Sequence, residues 1–189
     1  STMPKSPFTD VVAGSWYFDA ALYASSHNLM LGTSPTEFSP NITMTRGMLV
    51  TVLYRMNGSP SVSGKTPFTD VRTDEWYSAA VLWAYQNGIV TGMSDTTFDP
   101  INNVTREQMA TILFRYTKTA APDKAKASAD LSGFADAGSV NDWAVDAMRW
   151  AVGQKLIAGI TLEQSVYLQP RGNATRAQAA TVLTRYYAQ

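Results

Sequence analysis

Six of the nine arginines in this 189-residue chain fall at two recurring positions, and their placement calls for a chemical explanation. At the earlier position each arginine follows a threonine: Thr45-Arg46, Thr105-Arg106 and Thr175-Arg176. The threonine is expected to cap a helix, so each arginine would be the first helical residue, where the helix dipole disfavours a cation. A bound anion would explain three such placements, because a guanidinium and free helix N–H groups both favour one.

An internal explanation of the same arginines is equally open. Three aspartates recur in step with them, and each could form an ion pair with an arginine: Asp10, Asp70 and Asp136. The two explanations are compatible, since an aspartate can hold one face of a guanidinium while the other face meets a ligand. The later arginine set is predicted to lie in the last turn of a second helix, where the dipole favours a cation and no ligand is needed: Arg55, Arg115 and Arg185.

Tryptophan recurs at the predicted start of a first helix in Trp16, Trp76 and Trp143. An indole at that place is usually part of the core, and the alternative is a platform for a sugar ring, with the N–H as a polar handle. The aspartates repeat with the copies, whereas a catalytic site is normally singular. No phosphate loop, nucleophile elbow or metal-ligand cluster is visible, so the sequence predicts no enzyme, no cofactor and no metal site.

These residues belong to three tandem copies of one pattern. Pro7-Phe8-Thr9-Asp10-Val11 returns 60 residues later as Pro67-Phe68-Thr69-Asp70-Val71, and again, weakened, as Gly133-Phe134-Ala135-Asp136-Ala137. Two further landmarks follow later in each copy. The first is a glycine, and the second is a tripeptide that begins with an aromatic or apolar residue and ends with proline. These landmarks are Gly32, Gly92 and Gly159, and Phe38-Ser39-Pro40, Phe98-Asp99-Pro100 and Leu168-Gln169-Pro170.

Each copy is predicted to fold as helix, loop, helix. The first helix would begin near the tryptophan, with N-caps at Ser15, at Asp74, and at Asn141 or Asp142. The second would begin at the repeated threonine, where Thr105 with Gln108 and Thr175 with Gln178 fit a capping box. Copy one has Met48 at the corresponding place, so its box is incomplete.

The copies cover residues 7–57, 67–117 and 133–187, separated by polar spacers. A unit of about 50 residues with two short helices cannot bury enough surface alone. We therefore expect a mostly α fold in which three helix-loop-helix repeats pack as a pseudo-threefold single body.

Composition excludes several functional classes. Fifteen basic and fifteen acidic residues balance, which argues against a nucleic-acid binder that relies on a positive field. The longest apolar run, residues 79–85, is too short to span a membrane. The chain has no cysteine, which excludes disulfides and thiolate metal sites, and its single histidine excludes any site that needs two imidazoles. No signal peptide is visible, residues 1–4 look like an artificial addition, and we expect the chain to be an excised module of a larger protein.

The full pattern resembles the S-layer homology (SLH) module, in three copies from Pro7 to Tyr187. The resemblance implies a three-pronged helical domain at the bacterial cell surface that anchors a protein noncovalently to cell-wall polysaccharide, often one bearing pyruvyl ketals. The family's Thr-Arg-Ala-Glu signature corresponds to residues 45–48, 105–108 and 175–178. All three segments keep Thr-Arg, and none keeps the final Glu.

The resemblance also implies which residues bind. The arginine would meet the carboxylate of a pyruvyl ketal, and the sugar ring would lie near the tryptophan and the loop glycine. The expected ligand-binding residues are Asp10, Trp16, Gly32, Arg46, Asp70, Trp76, Gly92, Arg106, Asp136, Trp143, Gly159 and Arg176. The alternatives are a protein-interaction or self-assembly scaffold, and a module that binds peptidoglycan.

Overall fold

The computed structural model describes residues 5–126 and 129–189 and is mostly helical, as predicted. Residues 1–4, which looked like an artificial addition, lie outside the described residues. Within the described ranges there are six α-helices: α1 (Phe18–Ser26), α2 (Arg46–Met56), α3 (Ser78–Gln86), α4 (Arg106–Ala120), α5 (Val145–Gly153) and α6 (Arg176–Tyr187). None of these helices is both long enough and apolar enough to cross a bilayer.

A short antiparallel hairpin interrupts the loop of copy three, where the sequence predicted no strand. Its strands are β1 (Ile160–Leu162) and β2 (Ser165–Tyr167), with Ile160 opposite Tyr167. The longer Gly159–Pro170 segment accommodates this hairpin, and Glu163 at its tip has a positive φ of 56°.

The predicted caps of the first helices are wrong. Helices α1 and α3 begin two residues after their tryptophans, and their N-cap residues, Tyr17 and Tyr77, make no side-chain cap. A turn precedes α1 instead, with the Phe18 N–H donating to the Ser15 carbonyl at 3.0 Å. In copy three a 3₁₀ turn over Asp142–Ala144 takes the place of the predicted cap before α5.

The predicted starts of the second helices are confirmed. Thr105 and Gln108 form a complete capping box on α4, and Thr175 and Gln178 form another on α6. On α2 only half of the box is present, because the Met48 N–H donates to the Thr45 hydroxyl at 3.1 Å but Met48 cannot return a bond.

Two compact units divide the described chain: residues 5–44 with 174–189, and residues 45–126 with 129–173. In the first unit α1 packs on α6; in the second, α3 packs on α2 and α5 packs on α4. In each of these pairs, the first helix of one copy lies against the second helix of another copy. The largest fully buried side chains include Phe38 and Leu49, and Trp150 on α5.

Candidate ligand-binding groove

The start of each second helix is fastened by the Phe-x-Pro loop of a different copy. In copy one, the Arg46 N–H donates to the Asn102 carbonyl at 3.0 Å and the Gly47 N–H donates to the Pro100 carbonyl at 2.7 Å. The same pair of bonds joins residues 106 and 107 to the loop at 170–172, and residues 176 and 177 to the loop at 40–42.

These bonds contradict the prediction that free helix N–H groups bind an anion. The first two N–H groups are taken by loop carbonyls, and the third donates to the capping threonine. Any anion must therefore be bound by side chains rather than by the helix terminus.

The repeated aspartates hold the loops and do not pair with the arginines. Asp70 accepts the N–H groups of Phe98 and Asp99 at 2.9 and 2.8 Å. Asp10 does the same for residues 38 and 39, and Asp136 for residues 168 and 169. Asp99, just before Pro100, has a φ of 63°, so the bond from its N–H to Asp70 stabilises a residue in the left-handed conformation. The predicted ion pair is wrong because the carboxylate is already satisfied by backbone.

The repeated arginines are buried and are fixed through Nε. Arg46 donates from Nε to the Phe98 carbonyl at 2.8 Å, and its guanidinium carbon lies 4.7 Å from the centre of the Phe98 ring. Arg106 donates to the Leu168 carbonyl and Arg176 to the Phe38 carbonyl in the same way. The residues are only 3–6% exposed. Because Nε carries the structural bond, the terminal nitrogens remain for another partner.

The three arginines differ in how far these terminal nitrogens are used. Arg176 donates an additional bond from Nη2 to the Leu31 carbonyl at 2.6 Å. The terminal nitrogens of Arg46 and Arg106 make no hydrogen bond or ion pair with any residue that the structure describes. Arg46 and Arg106 therefore retain more capacity for a ligand than Arg176.

Arg46 lines a surface groove of about 330 Å³ in the second unit. Two of the expected ligand residues, Gly92 and Trp143, line the same groove, so the structure brings together one arginine, one loop glycine and one tryptophan from three different copies. The remaining lining residues are Val90, Thr91, Met93, Gln108, Thr111, Ile112 and Arg115.

The side chains that line the groove carry a net positive charge. The lining holds two arginines and no Asp or Glu. Burial lowers the pKa of Arg46, and the neighbouring Arg115 charge lowers it further, while Asp99 and Asp70 raise it. Burial also lowers the pKa of Arg115. A guanidinium stays protonated at physiological pH despite such effects, so both cations persist.

Arg115 was predicted to serve only the helix dipole, and that placement is wrong. Helix α4 continues to Ala120, so Arg115 lies five residues before its end, and Lys118 occupies the last turn. The guanidinium of Arg115 makes no hydrogen bond or ion pair with the described part of the chain, and it faces the groove. Its recurrence as Arg55, Arg115 and Arg185 was the signal that could have identified it.

The interpretation of the repeated tryptophans as core residues is also wrong. Trp16, Trp76 and Trp143 are 67%, 62% and 54% exposed. Trp16 and Trp76 each stand edge-on to the following tyrosine, with ring centres 5.3 and 5.1 Å apart. The indoles are therefore available as platforms.

The loop glycines allow close approach of a phenylalanine to the backbone. A Cβ at Gly92 would lie 2.5 Å from Cε1 of Phe68, and one at Gly32 would lie 2.6 Å from Cε1 of Phe8. Gly92 also has a φ of +91°, which favours glycine. Gly159 meets Val166 and Phe134 in the same way. These contacts explain the glycines structurally, and only Gly92 lines the groove described above.

Comparison with known proteins identifies the class of module that this architecture represents. Three tandem copies of one loop-and-helix unit, each presenting a buried arginine, define a tandem-repeat module. The model of the S-layer homology domain matches residues 7–47, 67–110 and 133–180, and the chain belongs to this family. SLH domains anchor surface proteins to the cell wall, and the cell surface or wall is where this chain is located.

The relatives are larger proteins. An endoglucanase of Bacillus sp. (strain KSM-635) is 33% identical over 94% of this chain and 18% of its own length. The surface-layer 125 kDa protein of Lysinibacillus sphaericus is 31% identical over 82% of this chain and 12% of its length. An amylopullulanase of Thermoanaerobacterium thermosulfurigenes is 28% identical over 93% of this chain and 9% of its length. The chain thus spans less than a fifth of these relatives, and the enzyme names describe proteins that share only this region with it.

Among solved structures, the undecaheme cytochrome from the S-layer of Carboxydothermus ferrireducens is 21% identical to this chain. The match covers 77% of this chain and 21% of the length of the cytochrome. The TM-score of 0.39 is too low to carry an argument.

Proposed function

We propose that this chain anchors a surface protein noncovalently to the cell wall by binding secondary cell-wall polysaccharide through an acidic, pyruvylated sugar. The single observation that carries this proposal is the placement of Arg46. Its side chain is buried and fixed at Nε, and its terminal nitrogens make no hydrogen bond with any described residue. The residue lines a groove that holds a second arginine and no carboxylate.

Burial disfavours the charge of Arg46, while Asp99 and Asp70 offset only part of this cost, and an anion in the groove would offset more of it. A carboxylate can accept bonds from the terminal nitrogens of Arg46 without disturbing the Nε bond that holds the loop. Arg115 adds a second cation on the same groove. The groove therefore favours a ligand that carries at least one anionic group.

The apolar part of the lining suits the rest of a pyruvyl ketal. The ketal carbon carries a methyl group beside its carboxylate, and Val90 and Ile112 offer apolar surface next to the arginines. Trp143 presents an exposed indole on the same groove, and a sugar ring can stack on such a face.

We also propose that the three copies form one pseudo-threefold, three-pronged body. The same aspartate-held loop, the same loop-to-helix bonds and the same type of helix pair recur in each copy, which supports this arrangement. Arg106 and Arg176, with Asp10, Trp16, Gly32, Trp76, Asp136 and Gly159, would then belong to further sites of the same type. Several sites on one repeating polymer would raise the overall affinity by avidity.

Co-sedimentation with purified, protein-free wall fractions tests the proposed function. We expect the chain to sediment with intact walls, to bind much less to walls stripped of secondary polymer, and to lose affinity when mild acid removes the ketals. Equal binding to bare peptidoglycan would favour the peptidoglycan alternative. Failure to sediment with any protein-free wall would favour the interaction scaffold.

A further inference from the structure

Glu107 is a buried carboxylate that has no counterpart in the other two copies. It follows Arg106 on α4 and is 2% exposed, whereas the residues after the other two repeated arginines are Gly47 and Ala177. Its two oxygens accept the Asn141 N–H at 3.0 Å and the side-chain amide of the same asparagine. A carboxylate of copy two thus holds one residue of copy three at two points.

Asn141 begins the turn that carries the exposed indole of Trp143. The turn is a 3₁₀ helix over Asp142–Ala144, and the Ala144 N–H donates to the Asn141 carbonyl at 2.8 Å. The indole makes no hydrogen bond and no contact with another aromatic ring in the part of the chain that the structure describes. The place of Trp143 on the groove therefore depends on the backbone of this turn.

The tryptophans of the other copies have an aromatic neighbour instead. Trp76 stands edge-on to Tyr77, with ring centres 5.1 Å apart, and copy one repeats this arrangement. In copy three Ala144 stands where the other copies have that tyrosine, so Trp143 has no such neighbour. The turn of copy three needs another means of support.

The sizes of the residues at these two places are reciprocal. The large Tyr77 stands at the start of α3, and a Cβ at Gly47 on α2 would lie 3.5 Å from the Tyr77 Cβ. The small Ala144 stands before α5, and the residue of α4 that corresponds to Gly47 is Glu107, which reaches Asn141. Glu107 thus supports in one helix pair the turn that a tyrosine supports in the other.

We propose that Glu107 is a positioning residue for ligand binding: by holding Asn141 it fixes the turn that presents the Trp143 indole to the groove. This inference rests on the proposed function, since it concerns one face of the same groove. The charge of Glu107 acts in the opposite direction, because a nearby carboxylate weakens the attraction of an anionic ligand. Its removal should therefore strengthen binding if only charge matters, and weaken binding if it positions the indole.

A double-mutant cycle with purified secondary wall polymer tests the proposal. Glu107→Gln keeps the size of the side chain but turns an NH₂ group toward one of the two Asn141 donors. We expect this variant to bind the polymer two- to fivefold more weakly than the wild type, and to cause no further loss in a Trp143→Ala background. Glu163→Gln removes the same charge from the exposed tip of the hairpin and should bind as the wild type does.

Two further measurements separate positioning from a general loss of structure. In a chain labelled with 5-fluorotryptophan, the fluorine resonance of Trp143 should move in Glu107→Gln, while that of Trp76, beside Tyr77, should stay. The exchange variant Glu107→Gly/Ala144→Tyr gives α4 and α5 the glycine and tyrosine of α2 and α3. It should regain affinity that Glu107→Gly alone loses.

The outcomes are distinct. Weaker binding by Glu107→Gln that vanishes in the Trp143→Ala background supports the proposal. Unchanged or tighter binding by Glu107→Gln overturns it, as does an equal loss in both backgrounds or an unmoved Trp143 resonance. A folded exchange variant that binds no better than Glu107→Gly also overturns it. In each of those cases wall binding by the wild type still stands. A wild-type chain that binds no wall polymer contradicts the proposed function, and this inference falls with it.

Discussion

Arg46 and Phe98 are joined twice: the arginine Nε donates to the Phe98 carbonyl at 2.8 Å, and the guanidinium carbon lies 4.7 Å from the centre of the phenyl ring. The N–H of the same phenylalanine is held by Asp70. Phe98 thus connects Asp70 to Arg46, although these two charged side chains form no ion pair with each other. This arrangement explains why both recur, and it leaves the terminal nitrogens of Arg46 for a ligand.

Asp70→Asn tests the role of the aspartate as the holder of the loop. The carboxylate accepts two backbone N–H groups, whereas an asparagine offers one oxygen and turns an NH₂ group toward the second N–H. We expect the free energy of unfolding to fall by about 1–3 kcal/mol, as for an unsatisfied buried donor. Urea denaturation measures this change. Asp74→Asn, in an exposed pair with Arg72, is the control and should change stability little.

Gly92→Ala tests the close approach of the loop to Phe68. The new Cβ would lie 2.5 Å from the Phe68 ring, and the residue has a φ of +91°. Gly88→Ala is a matched control, because Gly88 has a φ of +70° and open space where a Cβ would be. We expect Gly88→Ala to cost about 1 kcal/mol and Gly92→Ala clearly more. Equal thermal midpoints for the two variants would refute the close-approach explanation.

Trp143→Ala tests the exposed indole as a binding platform. The side chain is 54% exposed, so its loss should leave the thermal midpoint nearly unchanged while wall-polymer affinity falls severalfold. The comparison is Trp150→Ala, which removes a buried indole that donates to the Lys124 carbonyl at 2.7 Å. That change should cost about 3–5 kcal/mol of stability. Unchanged affinity of Trp143→Ala for the wall polymer would contradict the proposal that this indole is a binding platform.

Copy two expressed alone, as residues 67–117, should be unfolded or aggregated. The N–H groups at the start of α4 and the Arg106 Nε are bonded to copy three, and α3 and α4 pack on helices of other copies. Circular dichroism and a thermal scan test this expectation, and the whole chain should melt in a single transition. A stable, cooperative melt of the isolated copy would contradict it.

Repetition in the sequence correctly predicted the helices that begin at threonine, because a capping box is local and its residues are adjacent in the chain. The partners of the repeated polar residues could not be predicted in this way. The carboxylate of Asp70 and the Nε of Arg46 are bonded to backbone groups of a loop about 30 and 50 residues away, and residue identity does not reveal which backbone donors and acceptors a side chain meets.

The end of α4 shows a second reason why prediction failed. Lys118, Thr119 and Ala120 were assigned to a polar spacer, but they are compatible with a helix, and α4 stops only just before Pro122. That extension moves Arg115 away from the helix terminus, where the dipole argument applied. The exposure of the repeated tryptophans could not be predicted either, since helical spacing does not distinguish an indole in the core from one on the surface.

Binding of Arg115→Ala to pyruvylated wall polymer tests the central claim most directly. Arg115 lines the groove and makes no hydrogen bond or ion pair with any described residue, so its removal should not disturb the fold. Losing a charge-assisted contact costs about 1.5–3 kcal/mol, which corresponds to roughly tenfold to a hundredfold weaker binding. Arg72→Ala removes the same charge from an exposed position and should bind as the wild type does. Equal affinities for the two folded variants would contradict the claim that this groove binds the acidic group of the polymer.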